Sequence, residues 1–469
     1  MDNAFLTQLT QYLGTQHVLI HDMDMAPFCS DSRGRYQGHP SAVALPGTRD
    51  EIVNIINLAA HYQVPIVPQG GNTSTCGAAT CDTSGKQLII NLRRLDRLLE
   101  IDTDNNTITV EAGITLKEMR AHAYTHQRLF PLSLASEGSC QIGGNLSTNA
   151  GGLSVLRYGT MRDLTLGLDA ILPDGRRVNT LTGLRKDTTG LDIKQLFIGA
   201  EGQLGLITAA TLKLFPAPTA HATALIGVND ITTAIHMLNA LKQTFDTQLT
   251  TFEIMSQTCL QLVHQFQIAT VPFDSPWTLL IEISDSSHQH LLIDQVVNWL
   301  DKQPSLLEGV IAMNETQRTA LWQLRESLSH AQQRQGPSIK HDIAIPTSAI
   351  PSFIQETNLA LQHTFPGCRI VVFGHAGDGS LHYNVSFTRP NNANLFDDEN
   401  HVNKIVYDNV YALKGTLAAE HGIGQLKTYW LEHYKDPVSL TLMRDIKRLL
   451  DPHNLMNPGK WLSPGFKEK

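Results

Sequence analysis

Three glycine-rich, polar tracts in the first half of the chain constrain its fold most. They occupy residues 69–74, 136–152 and 199–205. The first follows residues 65–68, which are predicted to form a buried strand, and successive backbone N–H groups in such a turn can bind phosphate. One glycine loop is usually only a turn. Three in one domain indicate a single cofactor with an extended pyrophosphate that contacts them all.

The context of these tracts excludes a nicotinamide-binding Rossmann unit. None opens a long helix within a βαβ unit that carries an acidic residue about 20 positions further on. Short elements surround the tracts instead. Helices are predicted at 5–13, 49–62 and 116–126, and strands at 42–45, 65–68, 88–92, 107–112, 166–172, around Phe197, and at 209–215. Pro216-Ala217-Pro218 then indicates a domain boundary.

In the second half the order of predicted strands and helices differs, and it predicts an α+β domain with one broad antiparallel sheet and helices on one face. Strands are predicted at 222–228, 249–254, 277–283, 306–313, 338–345, 369–373 and 381–387, and helices at 231–245, 258–266, 291–300 and 317–334. A final helix is predicted at 437–450. We find no internal repeat and no low-complexity segment.

A glycine-rich turn at residues 374–384 carries His375 and His382. The residues before and after it are predicted to be paired strands, so the two imidazoles can meet across the turn. Because His382 and Asn384 are two apart, they point to the same face of their strand. Two neutral imidazoles in this arrangement can begin a site for zinc or a similar divalent ion. The alternative is a hairpin with two incidental histidines, since the chain has 20.

Composition narrows the class of protein further. A chain of 469 residues is expected to form two or three domains. A formal net charge of −8 without a basic run argues against a nucleic-acid partner. No apolar stretch approaches the roughly 20 residues that a membrane span needs. The first 21 residues lack Lys and Arg, so neither a secretory signal nor a transit peptide is expected. We therefore expect a cytoplasmic location, with peripheral membrane association as an alternative.

The six cysteines are scattered, which predicts free thiols in a reducing compartment. Cys76 and Cys81 could pair or bind metal, but a single pair is weak evidence. The spacing excludes a ferredoxin-type cluster within this chain. An iron–sulfur relay would have to lie on a partner subunit.

The motifs together resemble those of FAD-binding flavoproteins of the vanillyl-alcohol-oxidase type. The resemblance rests on residues 68–74, 143–152, 159–163, 199–205 and the ending 457–460. Residues 374–384 with Glu420-His421-Gly422 resemble the branch of D-2-hydroxyglutarate dehydrogenase, D-lactate dehydrogenase and the FAD subunit of glycolate oxidase. The resemblance implies an N-terminal helix and link (1–35), a two-subdomain FAD domain (36–217), an α+β cap domain with the metal site (218–430) and a helical segment returning to the FAD domain (431–469).

The resemblance implies which residues contact the cofactor. They are Pro68, Gly70, Gly71, Asn72, Thr73, Ser74, Ser136, Gly138, Gly143, Gly144, Asn145, Ala150, Gly151, Gly202, Ile207 and Asn457. Some relatives tether FAD covalently through a histidine in the first glycine loop. Here that loop contains no histidine, so we expect non-covalent FAD.

The resemblance also implies the reaction. His375, His382 and Glu420 match the metal ligands of the branch, for zinc or alternatively Mn²⁺ or Co²⁺, and His421 matches its catalytic base. A 2-hydroxy acid can chelate such a cation, which lowers the pKa of its hydroxyl group. His421 would take the proton while hydride passes from Cα to flavin N5, and a 2-oxo acid forms.

The preferred substrate implied by the resemblance is D-2-hydroxyglutarate. Arg325, Ser329, Lys340 and Asn384 match substrate contacts, and an arginine can bind a carboxylate through two parallel hydrogen bonds. The alternative interpretation is that Arg325 pairs with Glu326 or another acid on a solvated face. Lactate enzymes carry similar basic residues, so D-lactate or glycolate oxidation remains an alternative.

The sequence does not identify the electron acceptor or the oligomeric state. The electron acceptor could be a quinone, an electron-transfer protein, a cytochrome or oxygen. The oligomeric state is also open, with a homodimer as one arrangement. A rival of another class is a non-catalytic metal-binding protein whose flavin site has decayed, but the intact glycine loops argue against it.

Overall fold

The computed structural model describes residues 3–286, 291–387 and 394–462. Within them the chain forms two compact units. The first contains residues up to Gly151, Thr160–Pro216 and the described residues from Glu420 onward, and the second contains Gly152–Gly159 and Ala217–Ala419. Residues 1–2 of the predicted N-terminal segment and 463–469 of the predicted C-terminal segment lie outside the described residues.

A four-stranded sheet forms the first layer of the first unit. Its strands are β1 (Val18–Leu19), β2 (Ala42–Ala44), β3 (Ile66–Gln69) and β4 (Leu88–Asn91), in the order β1-β2-β4-β3. Helices α1 (Asn3–Leu13), α2 (Asp22–Met25) and α3 (Arg49–Tyr62) accompany it. Thr48 caps α3 by accepting a hydrogen bond from the Glu51 N–H at 3.1 Å. The apolar spacing of α3 buries Ile52, Ile55 and Ile56 as predicted.

A five-stranded antiparallel sheet forms the other part of this unit. Its strands are β5 (Leu98–Asp102), β6 (Thr107–Glu111), β8 (Thr165–Ile171), β9 (Arg177–Asn179) and β10 (Leu206–Lys213), in the order β5-β6-β10-β8-β9. Strand β7 (Arg128–Leu129) pairs separately with β11 (Phe215–Pro216). Helices α4 (Leu116–Thr125), α5 (Ile142–Ser147) and α7 (Met161–Leu164) connect these strands, while α6 (Val155–Tyr158) lies in the second unit.

The strand predicted around Phe197 is wrong. Residues Ile193–Leu196 form a turn of 3₁₀ helix, and Phe197 is buried directly after it. A short apolar run supports a strand or a buried turn equally well, so its apolarity alone cannot decide between them. Phe197 contributes its ring to the core without joining a sheet.

The second unit is a seven-stranded antiparallel sheet, in the order β15-β12-β14-β13-β17-β18-β16. Its strands are β12 (Ala220–Val228), β13 (Leu249–Ser256), β14 (Trp277–Asp285), β15 (Glu308–Ile311), β16 (Ile339–Ala344), β17 (Arg369–Gly374) and β18 (Ser380–Ser386). Its longer helices are α8 (Ile231–Phe245), α9 (Gln257–Gln265), α10 (Leu292–Leu300), α11 (Glu315–Gln335), α12 (Ile350–Thr364) and α13 (Glu399–Ala412).

The prediction of helices on only one face of this sheet is wrong. Phe373 packs with Leu324 and Leu328 of α11 in one cluster, whereas the Tyr383 ring packs against Phe353 of α12. Neighbouring strand residues therefore contact helices on opposite faces. A strand covered on both faces is buried along its whole length, and β14 is buried from Thr278 to Ser284.

The C-terminal part of the chain folds within the first unit through α14 (Thr428–Tyr434) and α15 (Pro437–Leu450). After α15 the backbone runs beside β3, where the Ile66 N–H bonds to the Leu455 carbonyl and the Asn457 N–H bonds to the Ile66 carbonyl, both at 2.7 Å. The buried Lys447 ammonium donates to the carbonyls of Gln203 and Met456 at 2.8 and 2.7 Å. These bonds hold the terminal segment against the third glycine tract.

Candidate functional site

The first and second glycine tracts lie against each other in the first unit. A Cβ atom on Gly71 would be 1.8 Å from the Ser139 carbonyl oxygen, so only glycine permits this close approach. The Cβ position of Gly70 lies 3.3 Å from Gln141 Oε1 and 3.7 Å from the Gly144 amide nitrogen. The two tracts therefore approach each other closely at these two glycines.

The third tract joins the same region. The Cβ position of Gly202 is 3.0 Å from the Pro68 ring, at the end of β3. The N–H of Glu201 donates to the Ser147 carbonyl of α5 at 2.8 Å. The fold therefore brings together all three tracts, which are far apart in sequence. This convergence is what a single extended cofactor requires.

The glycine tracts have room for FAD and buried acceptors that FAD could satisfy. Gly144 is half-buried and has no atom within 4 Å of its Cβ position, so open space adjoins it. Among the described residues, buried Gln141 Oε1 and Asn457 Oδ1 have no hydrogen-bond partner. A buried acceptor without a partner costs about 1–3 kcal/mol. Donor groups such as the ribose hydroxyls or the flavin ring N–H would relieve that cost.

The other predicted cofactor residues belong to the same loops or their supports. Asn72 has a left-handed backbone, with φ of 54°, and donates from Nδ2 to the Ser30 carbonyl at 2.8 Å. Asn457 donates from Nδ2 to the Glu201 carbonyl at 2.7 Å. The remaining ones lie in the tracts or in adjacent elements: Thr73, Ser74, Ser136, Gly143, Asn145, Ala150 and Gly151, with Ile207 buried in β10. Gly143 and Asn145 are on α5.

The turn between β17 and β18 is built around the His375 carbonyl in the second unit. The N–H groups of Asp378, Gly379 and Ser380 all donate to this oxygen, at 3.1–3.2 Å. Gly379 has φ of 91°, and a Cβ atom there would be 2.2 Å from the Ile345 carbonyl oxygen. The three bonds fix the backbone that carries the His375 ring.

His375, His382 and Glu420 each offer a ligand atom, and these atoms lie within 4.8 Å of one another. The two imidazole rings have centroids 6.3 Å apart, consistent with the predicted meeting across the turn. Glu420 directly follows Ala419, whose N–H bonds to the Asp342 carbonyl at 3.3 Å, and Asp342 pairs with His382 between β16 and β18. Two nitrogens and one carboxylate are a donor set that suits a catalytic divalent ion with open positions. The residues therefore fit the predicted metal.

Glu253 on β13 is a feature that the sequence analysis missed. Its side chain is fully buried, accepts a hydrogen bond from His375 Nδ1, and accepts another from Arg325 Nε at 2.6 Å. Burial opposes its ionisation, but the adjacent His375 and Arg325 prevail and lower the pKa of Glu253 to about 2. The available signal was a single acidic residue within a predicted strand. A charge that a strand carries into the core needs a partner, so an acid at such a position indicates one.

His421 lies in a loop of the first unit that a second buried acid holds in place. Glu201 accepts the N–H groups of Ile423 and Gly424, each at 2.7 Å. Burial raises the pKa of Glu201, although the hydrogen bonds from these two backbone N–H groups act in the opposite direction. The His421 ring is 27% exposed, and its Nε2 is 4.0 Å from Glu420 Oε2. The third glycine tract thus also fixes the loop that carries the predicted base.

The predicted substrate residues differ in their surroundings. Arg325 is buried, with its guanidinium 4.8 Å above the Phe373 ring. It does pair with an acid, Glu253, but the solvated face expected for such a pair is wrong. Asn384 is buried and donates from Nδ2 to Gln332 Oε1 at 2.7 Å. Lys340 is exposed and pairs with Asn384 across the sheet. Ser329 is exposed one helical turn after Arg325.

The family follows from two matching regions. Residues 217–461 match the model of the C-terminal domain of FAD linked oxidases, and residues 40–181 match the FAD binding domain. The chain belongs to the family of FAD-linked oxidases. The predicted family, the α+β fold class and the dependence on FAD are confirmed. In the described residues, no helix is both long and apolar enough to cross a membrane.

Within this family the chain is similar to enzymes named for 2-hydroxy acids. It is 31% identical over 467 residues to the D-2-hydroxyglutarate dehydrogenase of Stutzerimonas stutzeri, covering 98% of this chain and 99% of that one. It is 34% identical over 436 residues to the mitochondrial D-2-hydroxyglutarate dehydrogenase of Rattus norvegicus, covering 91% and 79%. A putative mitochondrial D-lactate dehydrogenase of Schizosaccharomyces pombe is 31% identical over 456 residues, covering 94% and 85%.

Solved structures support the fold. A structure of p-cresol methylhydroxylase with substrate bound has a TM-score of 0.75 at 16% identity, covering 98% of this chain and 97% of that one. A structure of alkyldihydroxyacetonephosphate synthase also has a TM-score of 0.75 at 16% identity, covering 98% and 86%. At this identity the likeness concerns the fold alone.

Proposed function

We propose that this chain is an FAD- and divalent-metal-dependent dehydrogenase that oxidises D-2-hydroxyglutarate to 2-oxoglutarate. The observation that carries the proposal is the grouping of His375, His382 and Glu420, whose ligand atoms lie within 4.8 Å of one another. A ligand set of this kind suits chelation of a hydroxy acid through its carboxylate and α-hydroxyl oxygens. The relatives named D-2-hydroxyglutarate dehydrogenase support the choice of substrate.

The residues divide into three roles. His375, His382 and Glu420 would hold the cation, for which zinc is the first choice and Mn²⁺ or Co²⁺ are alternatives. Residues of the three glycine tracts, with Ile207 and Asn457, would hold non-covalent FAD. When bound, FAD accepts a hydride at N5, and the cation lowers the pKa of the α-hydroxyl that it coordinates.

His421 would act as the general base. An imidazole titrates near neutrality, so at physiological pH a neutral ring can accept the proton of the α-hydroxyl. The hydrogen bonds from the backbone N–H groups of Ile423 and Gly424 to Glu201 support this role, since they fix the loop that carries the ring. Holding the base in place reduces the entropy lost in reaching the reactive arrangement.

Arg325, Ser329, Lys340 and Asn384 would bind the substrate, with Arg325, Ser329 and Lys340 at the distal carboxylate. The Nε atom of Arg325 donates to Glu253, and a guanidinium also has terminal NH₂ groups that can bind a carboxylate. A carboxylate next to two cations gains charge-assisted hydrogen bonds. D-lactate is the second candidate, because a protein named putative D-lactate dehydrogenase is among the relatives. D-lactate differs from D-2-hydroxyglutarate in lacking the distal carboxylate.

Substitution of Arg325 tests the choice of substrate. We expect Arg325→Ala to lower kcat/KM for D-2-hydroxyglutarate by roughly 10- to 150-fold, equivalent to about 1.5–3 kcal/mol, and kcat/KM for D-lactate by clearly less. Arg318→Ala is the matched control, because Arg318 lies on the same helix and pairs with the buried Glu282, at 2.9 Å. Turnover of both acids with an artificial dye acceptor is the measurement. Equal losses for the two acids would contradict a role at the distal carboxylate.

We expect a cytoplasmic location, with the electron acceptor to be found among quinones, electron-transfer proteins and cytochromes. The non-catalytic alternative is disfavoured by the convergence of the three glycine tracts and by the buried acceptors Gln141 Oε1 and Asn457 Oδ1, which a bound cofactor could satisfy. A purified protein without flavin colour that added FAD does not restore would favour that alternative.

A further inference from the structure

Glu253 contacts both a proposed metal ligand and a proposed substrate residue. One carboxylate oxygen, Oε1, accepts a hydrogen bond from His375 Nδ1, and the other, Oε2, accepts one from Arg325 Nε at 2.6 Å. All three side chains are at least nine-tenths buried. A single carboxylate on β13 therefore joins a residue of the β17–β18 turn to a residue of α11.

The bond to His375 determines the tautomer of that imidazole. An ionised carboxylate only accepts hydrogen bonds, so Nδ1 must carry the proton that it donates. The lone pair of the neutral ring then lies on Nε2, which is the atom left to bind a metal. Metal-binding histidines commonly have such a partner, which fixes the ring orientation and raises the basicity of the ligand atom.

The bond to Arg325 determines which edge of the guanidinium remains for a ligand. Glu253 uses Nε, and the Phe373 ring lies beneath the guanidinium at 4.8 Å. The plane of the group is therefore fixed from one side and from below. A distal carboxylate can then meet terminal NH₂ groups whose direction is already set, which lowers the entropic cost of binding.

We propose that Glu253 is a positioning residue that couples the metal subsite to the distal-carboxylate subsite. It presents His375 Nε2 to the cation and aims Arg325 at the far end of a dicarboxylic hydroxy acid. The inference rests on the proposed function, because it assumes that a cation and a dicarboxylate bind at these residues. It adds that one buried side chain sets the distance between the two subsites.

A second buried acid provides a matched control. Glu282 on β14 accepts hydrogen bonds from Arg318 Nε at 2.9 Å and Trp322 Nε1 at 2.8 Å, both on α11. It therefore anchors the same helix to the same sheet as Glu253 does. Glu282 also contacts His221 and Thr223, and none of these four partners is a proposed metal ligand. Loss of Glu282 should weaken the packing of α11 without changing the tautomer of His375.

The test is the Zn²⁺ affinity of the FAD-loaded, metal-free protein, measured by competition with a chromophoric chelator. In Glu253→Gln the amide oxygen must face Arg325, which turns the NH₂ group toward His375 Nδ1. Nδ1 must then accept, and the ring proton moves to Nε2. We expect affinity to fall about 10–100-fold, as is common when the partner of a metal-binding histidine is lost. Glu282→Gln should keep the wild-type affinity and lower only the unfolding temperature.

The steady-state constants give a second readout. With Zn²⁺ saturating, Glu253→Gln should raise KM for D-2-hydroxyglutarate more than KM for D-lactate, because only the former needs an aligned Arg325. Wild-type Zn²⁺ affinity in Glu253→Gln would overturn the proposal. Equal loss of affinity in Glu282→Gln would overturn it too, because affinity would then follow the packing of α11.

Glu253→Asp keeps the test decisive if the glutamine variant does not fold. It retains the buried charge but is one methylene shorter, so it cannot reach both His375 and Arg325. Weaker Zn²⁺ binding with retained folding supports the proposal, and unchanged binding overturns it. A wild-type chain that binds no metal would instead refute the proposed metal-dependent function, and that failure is visible before any variant is made.

Discussion

Replacement of His421 by asparagine is expected to lower kcat/KM for D-2-hydroxyglutarate by about 10²–10⁴-fold, the usual contribution of a positioned general base. Asparagine can keep a hydrogen bond but cannot accept a proton near neutral pH. FAD content and Zn²⁺ affinity should stay at wild-type values, because the loop is held through the backbone of Ile423 and Gly424. Rapid-reaction measurement of flavin reduction isolates this step from reoxidation.

The pH dependence gives the same prediction a second test. Only a neutral imidazole can accept the substrate proton, so flavin reduction in the wild type should slow in acidic solution, and this dependence on pH should be absent in His421→Asn. His433→Asn is the control, because His433 is an exposed histidine of α14 in the same unit. Wild-type reduction rates in His421→Asn would assign the base to another residue.

Loss of the cation is expected to have an effect of similar size. Glu420→Gln removes the only anionic donor of the three proposed ligands while keeping the side-chain shape. A metal ion contributes several kcal/mol to stabilising developing negative charge on an oxygen, which corresponds to roughly 10²–10⁴-fold in rate. We expect this loss in kcat/KM, together with a metal content near zero by elemental analysis.

Chelation of the wild-type protein should reproduce the effect reversibly. Activity should disappear with a strong chelator and return with added Zn²⁺, while flavin absorbance remains, since FAD would be held by other residues. Glu432→Gln is the matched control, because Glu432 pairs with Arg444 at 3.6 Å and is not among the three proposed ligands. Full activity in a protein with no measurable metal would contradict the role of the cation.

The elements that the sequence predicted well are those with strong local signals. Helix α3 has the predicted limits, since Thr48 caps its start and its apolar residues recur at helical spacing. The strands β17 and β18 were found because glycines separate two apolar runs. The strand near Phe197 and the single helical face of the large sheet were wrong, because local apolarity does not reveal which element will cover a residue.

The candidate site was only partly accessible from the residues alone. Periodicity brought His375 and His382 together, but Glu420 came from the resemblance, since no spacing rule joins it to the turn. Glu253 and Glu201 were missed for a related reason. Their partners lie far along the chain, and the sequence shows an acid in an apolar strand or a glycine loop without showing which groups bind it. A buried carboxyl group needs hydrogen-bond partners, so each acid was a signal of a specific contact.

The most direct test of the central claim is anaerobic reduction of the bound flavin in the metal-loaded protein. Addition of D-2-hydroxyglutarate should bleach the visible flavin band and produce 2-oxoglutarate in equal amount, whereas the L-enantiomer should not. The same addition after metal removal should leave the flavin oxidised over the same time. A flavin that stays oxidised with every D-2-hydroxy acid, or that is reduced equally well without metal, would contradict the account.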